Sequence, residues 1–308
     1  MNRTENTLIT VVGPTAIGKT ALSIQLATAF NASIISCDSR QFYKEMTIGT
    51  AVPEPEELAA AKHYFIQNRS VFEAYNVGDF ERDTLEKLDE LFKENPVQIM
   101  VGGSGLYVDA ALNGLDYFPE VTPEVREALK IRLEKEGIEV LQNQLKELDI
   151  ETYHLIALDN PHRLMRALEV CIGSGTPYST FKNKPKKLRK FQSIKVGLNA
   201  DRAIIYNRIN QRVDTMMDNG LLEEAKKLHP NKELNALQTV GYRELFSFFD
   251  GNFTKEFAIA EIKKNTRRFA KRQLTWFKRD KNTLWFDYLT DKKTIITRIS
   301  EKINKLKA

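Results

Sequence analysis

Gly13-Pro14-Thr15-Ala16-Ile17-Gly18-Lys19-Thr20 matches G-x-x-x-x-G-K-[ST] in full. In such a loop the glycines let backbone N–H groups converge on an anion at a helix N-terminus, whose partial positive charge favours it. Lys19 then meets the terminal phosphate oxygens and Thr20 ligates Mg²⁺. The spacing specifies a di- or triphosphate and leaves its identity open. Asp38 ends the apolar run at 33–37, and a carboxylate beside bound phosphates either holds Mg²⁺ or takes a proton. The plain alternative is a turn residue opening Ser39-Arg40-Gln41. Gly102-Gly103-Ser104-Gly105 follows another apolar run; it would admit a second backbone closely or simply turn the chain. Arg208 and Arg212 are four apart, hence on one helix face, and one of them could reach a diphosphate.

These groups need a frame. Residues 8–12, 33–37, 97–101 and 193–198 read as short buried strands, with 283–288 as a candidate last one, while 19–30 and 77–94 carry helical spacing. Strand, helix, strand, helix, strand is the pattern of a parallel sheet wrapped by helices. The expected fold is therefore α/β, a P-loop NTPase-like parallel sheet flanked by helices. Ligands of such sheets bind outside the carboxyl ends of the strands, which places the phosphate loop, Asp38 and the glycine run on one crevice. Between 117 and 191 the chain turns charged and helical. The expected division is a core from 1–116 and 192–308, ending in basic helices, interrupted by a helical insertion at 117–191.

Positive charge is concentrated in two places. Residues 181–195 hold seven Lys/Arg and no acid, and 262–281 hold nine Lys/Arg and one acid; outside them 30 basic side chains face 40 acidic ones. Such segments on an acidic body suit a polyanionic partner, because each phosphate neutralised releases counterions; a solvated helix and a basic loop are the bland reading. Two cysteines, Cys37 and Cys171, are too few for a disulfide framework and have no zinc-ligand spacing. No signal peptide and no run of about 18 apolar residues is readable. The expectation is a cytoplasmic monomer without membrane contact.

At this point the motifs resemble a known family, the bacterial tRNA dimethylallyltransferases. The phosphate loop resembles theirs. Asp38-Ser39-Arg40-Gln41-Phe42-Tyr43 with Met46 is similar to their DSxQxYxxM segment, and Gly102-Gly103-Ser104-Gly105-Leu106-Tyr107 to GGTGLY, with Ser104 in place of Thr. Residues 160–170 resemble the N-x-x-R-x-x-R-A-L-E-V helix; 241–244 and 266–277 resemble C-terminal motifs. The resemblance implies transfer of a dimethylallyl group from its diphosphate, with Mg²⁺, to N6 of the adenosine 3′ of the anticodon in tRNAs reading codons that begin with U. It also implies a catalytic set of Lys19, Thr20, Asp38, Arg208 and Arg212, with Asp38 as general base and residues 13–20 on the diphosphate. Asp38, Ser39, Arg40, Gln41, Ser104, Arg126, His162, Arg163, Leu164, Met165 and Arg166 are the implied contacts to the tRNA anticodon stem-loop, Gln41 through the adenine edge. Competing readings are a transferase acting on free adenine nucleotides, a small-molecule P-loop kinase and a non-enzymatic RNA-binding ATPase.

Overall fold

The computed structural model describes residues 5–182 and 188–307. Part of the first basic segment, residues 183–187, lies outside the described residues. Two compact units form, Met1–Asn113 with Leu188–Ala308, and Gly114–Lys187.

The first unit contains β1 (Thr7–Val12), α1 (Lys19–Phe30), β2 (Ile34–Ser36), α2 (Pro55–Ala60), β3 (His63–Tyr64), α3 (Val77–Glu94), β4 (Val97–Val101) and α4 (Gly105–Asn113). The six-stranded parallel sheet has the order β3-β2-β4-β1-β5-β6, where β5 (Gln192–Asn199) and β6 (Leu284–Asp287) come from the returning half of the chain. All six residues of β1 are buried, as a strand covered on both faces requires. Its alternating side chains feed two cores. Ile9 and Val11 pack with Leu22, Leu26, Ile205, Ile209, Ile295 and Ile299, whereas Leu8 and Val12 pack with Phe42, Phe80, Leu88, Val108 and Phe277. Because every strand is parallel, β1, β2, β4 and β5 deliver their following loops to one edge.

The second unit is helical: Pro123–Glu136, Ile138–Leu148, Ile150–Leu155 and Pro161–Ser174, the fifth to eighth helices of the chain, α5 to α8. Asn160 caps α8 by accepting from the Arg163 N–H at 3.2 Å, with Pro161 at the first helical position. Leu129, Leu141, Leu145, Leu164, Leu168 and Cys171 form its core.

After β5 the first unit continues with α9 (Arg202–Asp218), α10 (Leu221–Leu228), α11 (Tyr242–Phe249), α12 (Lys255–Phe277) and α13 (Lys292–Lys307). Leu221, Ala225, Tyr242, Leu245, Phe246, Ala258 and Ile262 join Tyr43 and Met46 in a third apolar cluster of this unit. Residues 188–191 belong to this unit as well. Arg189 donates to Glu81 at 2.9 Å and to the Ala110 carbonyl at 2.6 Å.

Candidate active site

The phosphate loop leaves β1 and enters α1 through three residues at positive φ, Gly13 (145°), Ala16 (63°) and Gly18 (104°). A Cβ at Gly13 would stand 2.6 Å from the Leu198 carbonyl of β5, so only glycine lets the loop start there. Lys19 curls over the loop, its Nζ donating to the Gly13 and Pro14 carbonyls at 3.1 and 2.8 Å. Thr20 follows in the first turn of α1.

Two arginines of α9 close on the same loop. Arg208 Nε donates to the Ala16 carbonyl at 2.7 Å, and its guanidinium lies over the Tyr288 ring. Arg212 Nη1 reaches Thr15 Oγ1 at 3.5 Å. Lys19, Arg208 and Arg212 share this space with the carboxylates of Asp38 and Glu57. Burial lowers Lys19 to about 8, with Arg212 pushing the same way and Asp38 opposing. Burial, then the neighbouring Arg208, likewise lowers Arg212, against Glu57 and Asp38. Three cationic side chains converging on one loop are complementary to a polyanion.

Asp38 stands just past β2. Its Oδ1 accepts from the Arg40 N–H at 3.1 Å, so the turn reading is realised. The turn occupies only one oxygen: Oδ2 has no hydrogen-bond partner among the described residues. The turn thus aims the carboxylate while leaving an acceptor. Ser104 joins this loop to the glycine run, its hydroxyl accepting from the Ser39 N–H and donating to Ser39 Oγ, both at 3.1 Å. Serine in place of threonine keeps that link.

The glycine run is spent on close approach. At Gly102 a Cβ would meet Cys37 Sγ at 2.6 Å and the Cys37 carbonyl carbon at 2.7 Å. Gly102→Ala therefore forces β2 and β4 apart just before Asp38. We expect a loss of about 1–3 kcal/mol, the usual range for overpacking, seen as a lower Tm in thermal denaturation; an unchanged Tm would show that the strand ends yield freely.

The other residues expected to contact tRNA differ in how far they are engaged within the protein. Gln41 is held within its own loop: its Nε2 donates to the Thr50 and Ala51 carbonyls at 3.3 and 2.8 Å, and its Oε1 accepts from Ser36 Oγ at 3.2 Å. With both amide hydrogens used, the side chain braces the loop after it. Arg40 is similarly engaged, Nη1 donating to the Asn235 and Ala236 carbonyls. On α8 the side chains of Leu164 and Met165 are buried in the helical core. His162, Arg163 and Arg166 are exposed. Arg126 and Arg166 both pair with buried Glu169, at 3.1 and 3.3 Å, while remaining about half exposed.

Two supports were not legible from motif spacing. Glu224 Oε2 accepts from the Thr47 and Ile48 N–H groups, and Oε1 from the Gly49 N–H and the Tyr242 hydroxyl, all within 2.9 Å. Burial and that carboxylate push the Tyr242 phenol well above its usual range, so it stays a donor. The other is Gln273 on α12, whose Oε1 accepts from the Thr15 N–H and whose Nε2 donates to the Gly103 carbonyl.

A parallel sheet with this loop at the end of its central strand, flanked by helices, defines an α/β protein of P-loop NTPase-like fold. Within that class the chain belongs to the IPP transferase family, whose sequence profile matches residues 41–280. It is 62% identical over 304 residues to a tRNA dimethylallyltransferase of Flavobacterium psychrophilum, covering 97% of this chain and 99% of that protein. With the protein of the same description from Flavobacterium johnsoniae it shares 64% over 302 residues, 96% of this chain and 98% of the other. Among solved structures, the full-length tRNA isopentenylpyrophosphate transferase of Bacillus halodurans superposes with a TM-score of 0.73 at 34% identity, over 98% of each chain. A eukaryotic dimethylallyltransferase, solved acting on tRNA, gives a TM-score of 0.79 at 26% identity over 96% of this chain and 77% of that one. No described helix is long and apolar enough to cross a membrane.

Proposed function

We propose that this chain prenylates tRNA, transferring a dimethylallyl group from dimethylallyl diphosphate to N6 of the adenosine 3′ of the anticodon in tRNAs that read codons beginning with U. The observation that carries the reading is the convergence of Lys19, Arg208 and Arg212 on the phosphate loop, with the open oxygen of Asp38 at the neighbouring strand end.

The C–O bond between the prenyl carbon and the diphosphate breaks, an N–C bond to the adenine amine forms, and pyrophosphate leaves; no phosphoryl group moves. Lys19, the loop N–H groups, Arg208 and Arg212 take up the charge that gathers on the leaving group. Thr20, at the first turn of α1, would hold a Mg²⁺ ion through its hydroxyl. When bound, Mg²⁺ supplies further neutralisation of the departing diphosphate. The adenine amine is weakly nucleophilic because its lone pair enters the ring, so Asp38 Oδ2 accepts the proton as the N–C bond forms. To reach the crevice the base leaves its stack in the loop, at a cost of a few kcal/mol.

Arg268, Lys271, Arg272, Lys278 and Arg279 are exposed along and just past α12, where each phosphate contact would add to the salt dependence of binding. The second unit contributes Arg163, His162 and the partly exposed Arg126 and Arg166. The reaction belongs to the cytoplasm, where its RNA substrate is found.

Incubation with dimethylallyl diphosphate, Mg²⁺ and undermodified tRNA, followed by digestion and mass spectrometry, should release N6-dimethylallyladenosine. Product from AMP but not from tRNA would move the reading to free nucleotides. Phosphoryl transfer from ATP without prenylation would sink it.

A further inference from the structure

Helix α12 has two faces with different work. Its exposed face is basic, while its opposite face packs against the crevice loops. There Gln273 is 5% exposed and spans two loops: Oε1 accepts from the Thr15 N–H at 2.9 Å and Nε2 donates to the Gly103 carbonyl at 3.0 Å. The amide has only one workable orientation, because a flip would set nitrogen against N–H and oxygen against a carbonyl. Close to one turn further on, Trp276 Nε1 donates to Asp109 Oδ2 at 2.9 Å. Missing side chains make the room: a Cβ at Gly103 would lie 2.1 Å from Gln273 Nε2, and one at Gly105 would lie 2.4 Å from the Trp276 ring.

Filling space at this position needs no amide. A buried polar group is costly unless satisfied, and here both satisfying partners are the backbone of loops that follow different strands, β1 and β4. We propose that Gln273 is a positioning residue, a strap that sets the separation between the phosphate loop and the Gly102–Gly105 turn and so aims the prenyl end of the bound diphosphate at the acceptor amine. It acts through Thr15 and Gly103. The Thr15 N–H is committed to the strap and stands outside the set of donors offered to the anion. This inference rests on the prenyl-transfer reading.

Full-length Gln273→Met and Gln273→Glu test it. Methionine keeps the volume and loses both hydrogen bonds. The expected result is a 10- to 100-fold lower kcat/KM for dimethylallyl diphosphate, in line with the cost of about an ångström of misplacement, with tRNA Kd from filter binding within twofold of wild type. Glutamate reads the donor to Gly103 separately. As the neutral acid it restores both bonds; ionised, it faces the Gly103 carbonyl and the diphosphate. The ratio of variant to wild-type kcat/KM should therefore fall as pH rises, with an inflection above the ordinary glutamate value of about 4.3. A packing role would lower Tm in both variants and leave kcat/KM and the pH ratio unmoved. The strap is overturned if both variants keep kcat/KM for dimethylallyl diphosphate within twofold and the ratio is flat from about pH 5 to 9. Should Gln273→Met not fold, the glutamate profile decides. Inorganic pyrophosphate binding separates the two readings: a wild type without prenylation whose affinity still drops tenfold in Gln273→Met refutes the reaction and keeps the strap, whereas equal affinities refute the strap.

Discussion

Asp38→Asn should slow the single-turnover transfer by about 10²- to 10⁴-fold, the usual contribution of a positioned general base, while leaving tRNA affinity within a small factor. The substitution is selective because of how the carboxylate is held. Oδ1 accepts from the Arg40 N–H, and asparagine can keep that bond and therefore the turn. What disappears is the acceptor at the second oxygen and the negative charge. Asp38 raises Lys19 and supports Arg212, so its neutralisation makes the cations more demanding of an anion, and diphosphate should bind no more weakly than before. Slower chemistry with equal or tighter diphosphate binding is the signature of a lost base. The alternative role predicts something else. If Asp38 held Mg²⁺, Asp38→Asn would shift the Mg²⁺ titration to higher concentration and saturating metal would recover much of the rate. A single-turnover rate within threefold of wild type would remove Asp38 from the chemistry.

The parts of this fold that sequence exposes are those with strong local causes. Helix α3 is delimited by Asn76, whose side chain accepts from the Gly78 and Asp79 N–H groups, and β4 is a buried apolar run closed by glycines. Strand β3 is two residues long, too short to show any alternation. At the site, the cation set was legible because the loop motif and the four-residue spacing of Arg208 and Arg212 are local patterns. Gln41 was not: its partners are carbonyls nine and ten residues on, a choice made by the loop's folded path. Gln273 is harder still, since one partner is a backbone N–H 258 residues away and every non-proline residue offers one. Leu164 shows two signals in conflict. It lies within an arginine-bearing motif, yet it shares a helical face with Leu168 and Cys171, and all three are buried. Periodicity was the better guide because the hydrophobic effect acts on every residue of the face.

Lys19→Met should lower kcat by about 10²- to 10³-fold, as the loss of one preorganised donor to developing charge does elsewhere, and should also erase a pH dependence that the wild type must show. In the free protein burial holds Lys19 near 8, and among the described residues its ammonium donates only to the Gly13 and Pro14 carbonyls. A bound diphosphate supplies two or more negative charges at the same place and pulls the value back up. Between pH 8 and the bound value, binding must therefore recruit a proton. Affinity for inorganic pyrophosphate should fall toward tenfold per pH unit in that window, and calorimetry in buffers of different ionisation enthalpy should register proton uptake. The stability of the free protein carries the opposite sign. The folded value lies below the ordinary lysine value of 10.5, so between about 8 and 10.5 the unfolded chain holds more protons and this group makes the fold more stable as pH rises. Ligand binding and folding thus respond to alkali in contrary directions through one ammonium group. A wild type whose pyrophosphate affinity stays level from pH 7 to 10, in line with Lys19→Met, would mean that Lys19 is fully charged in the free protein across that range.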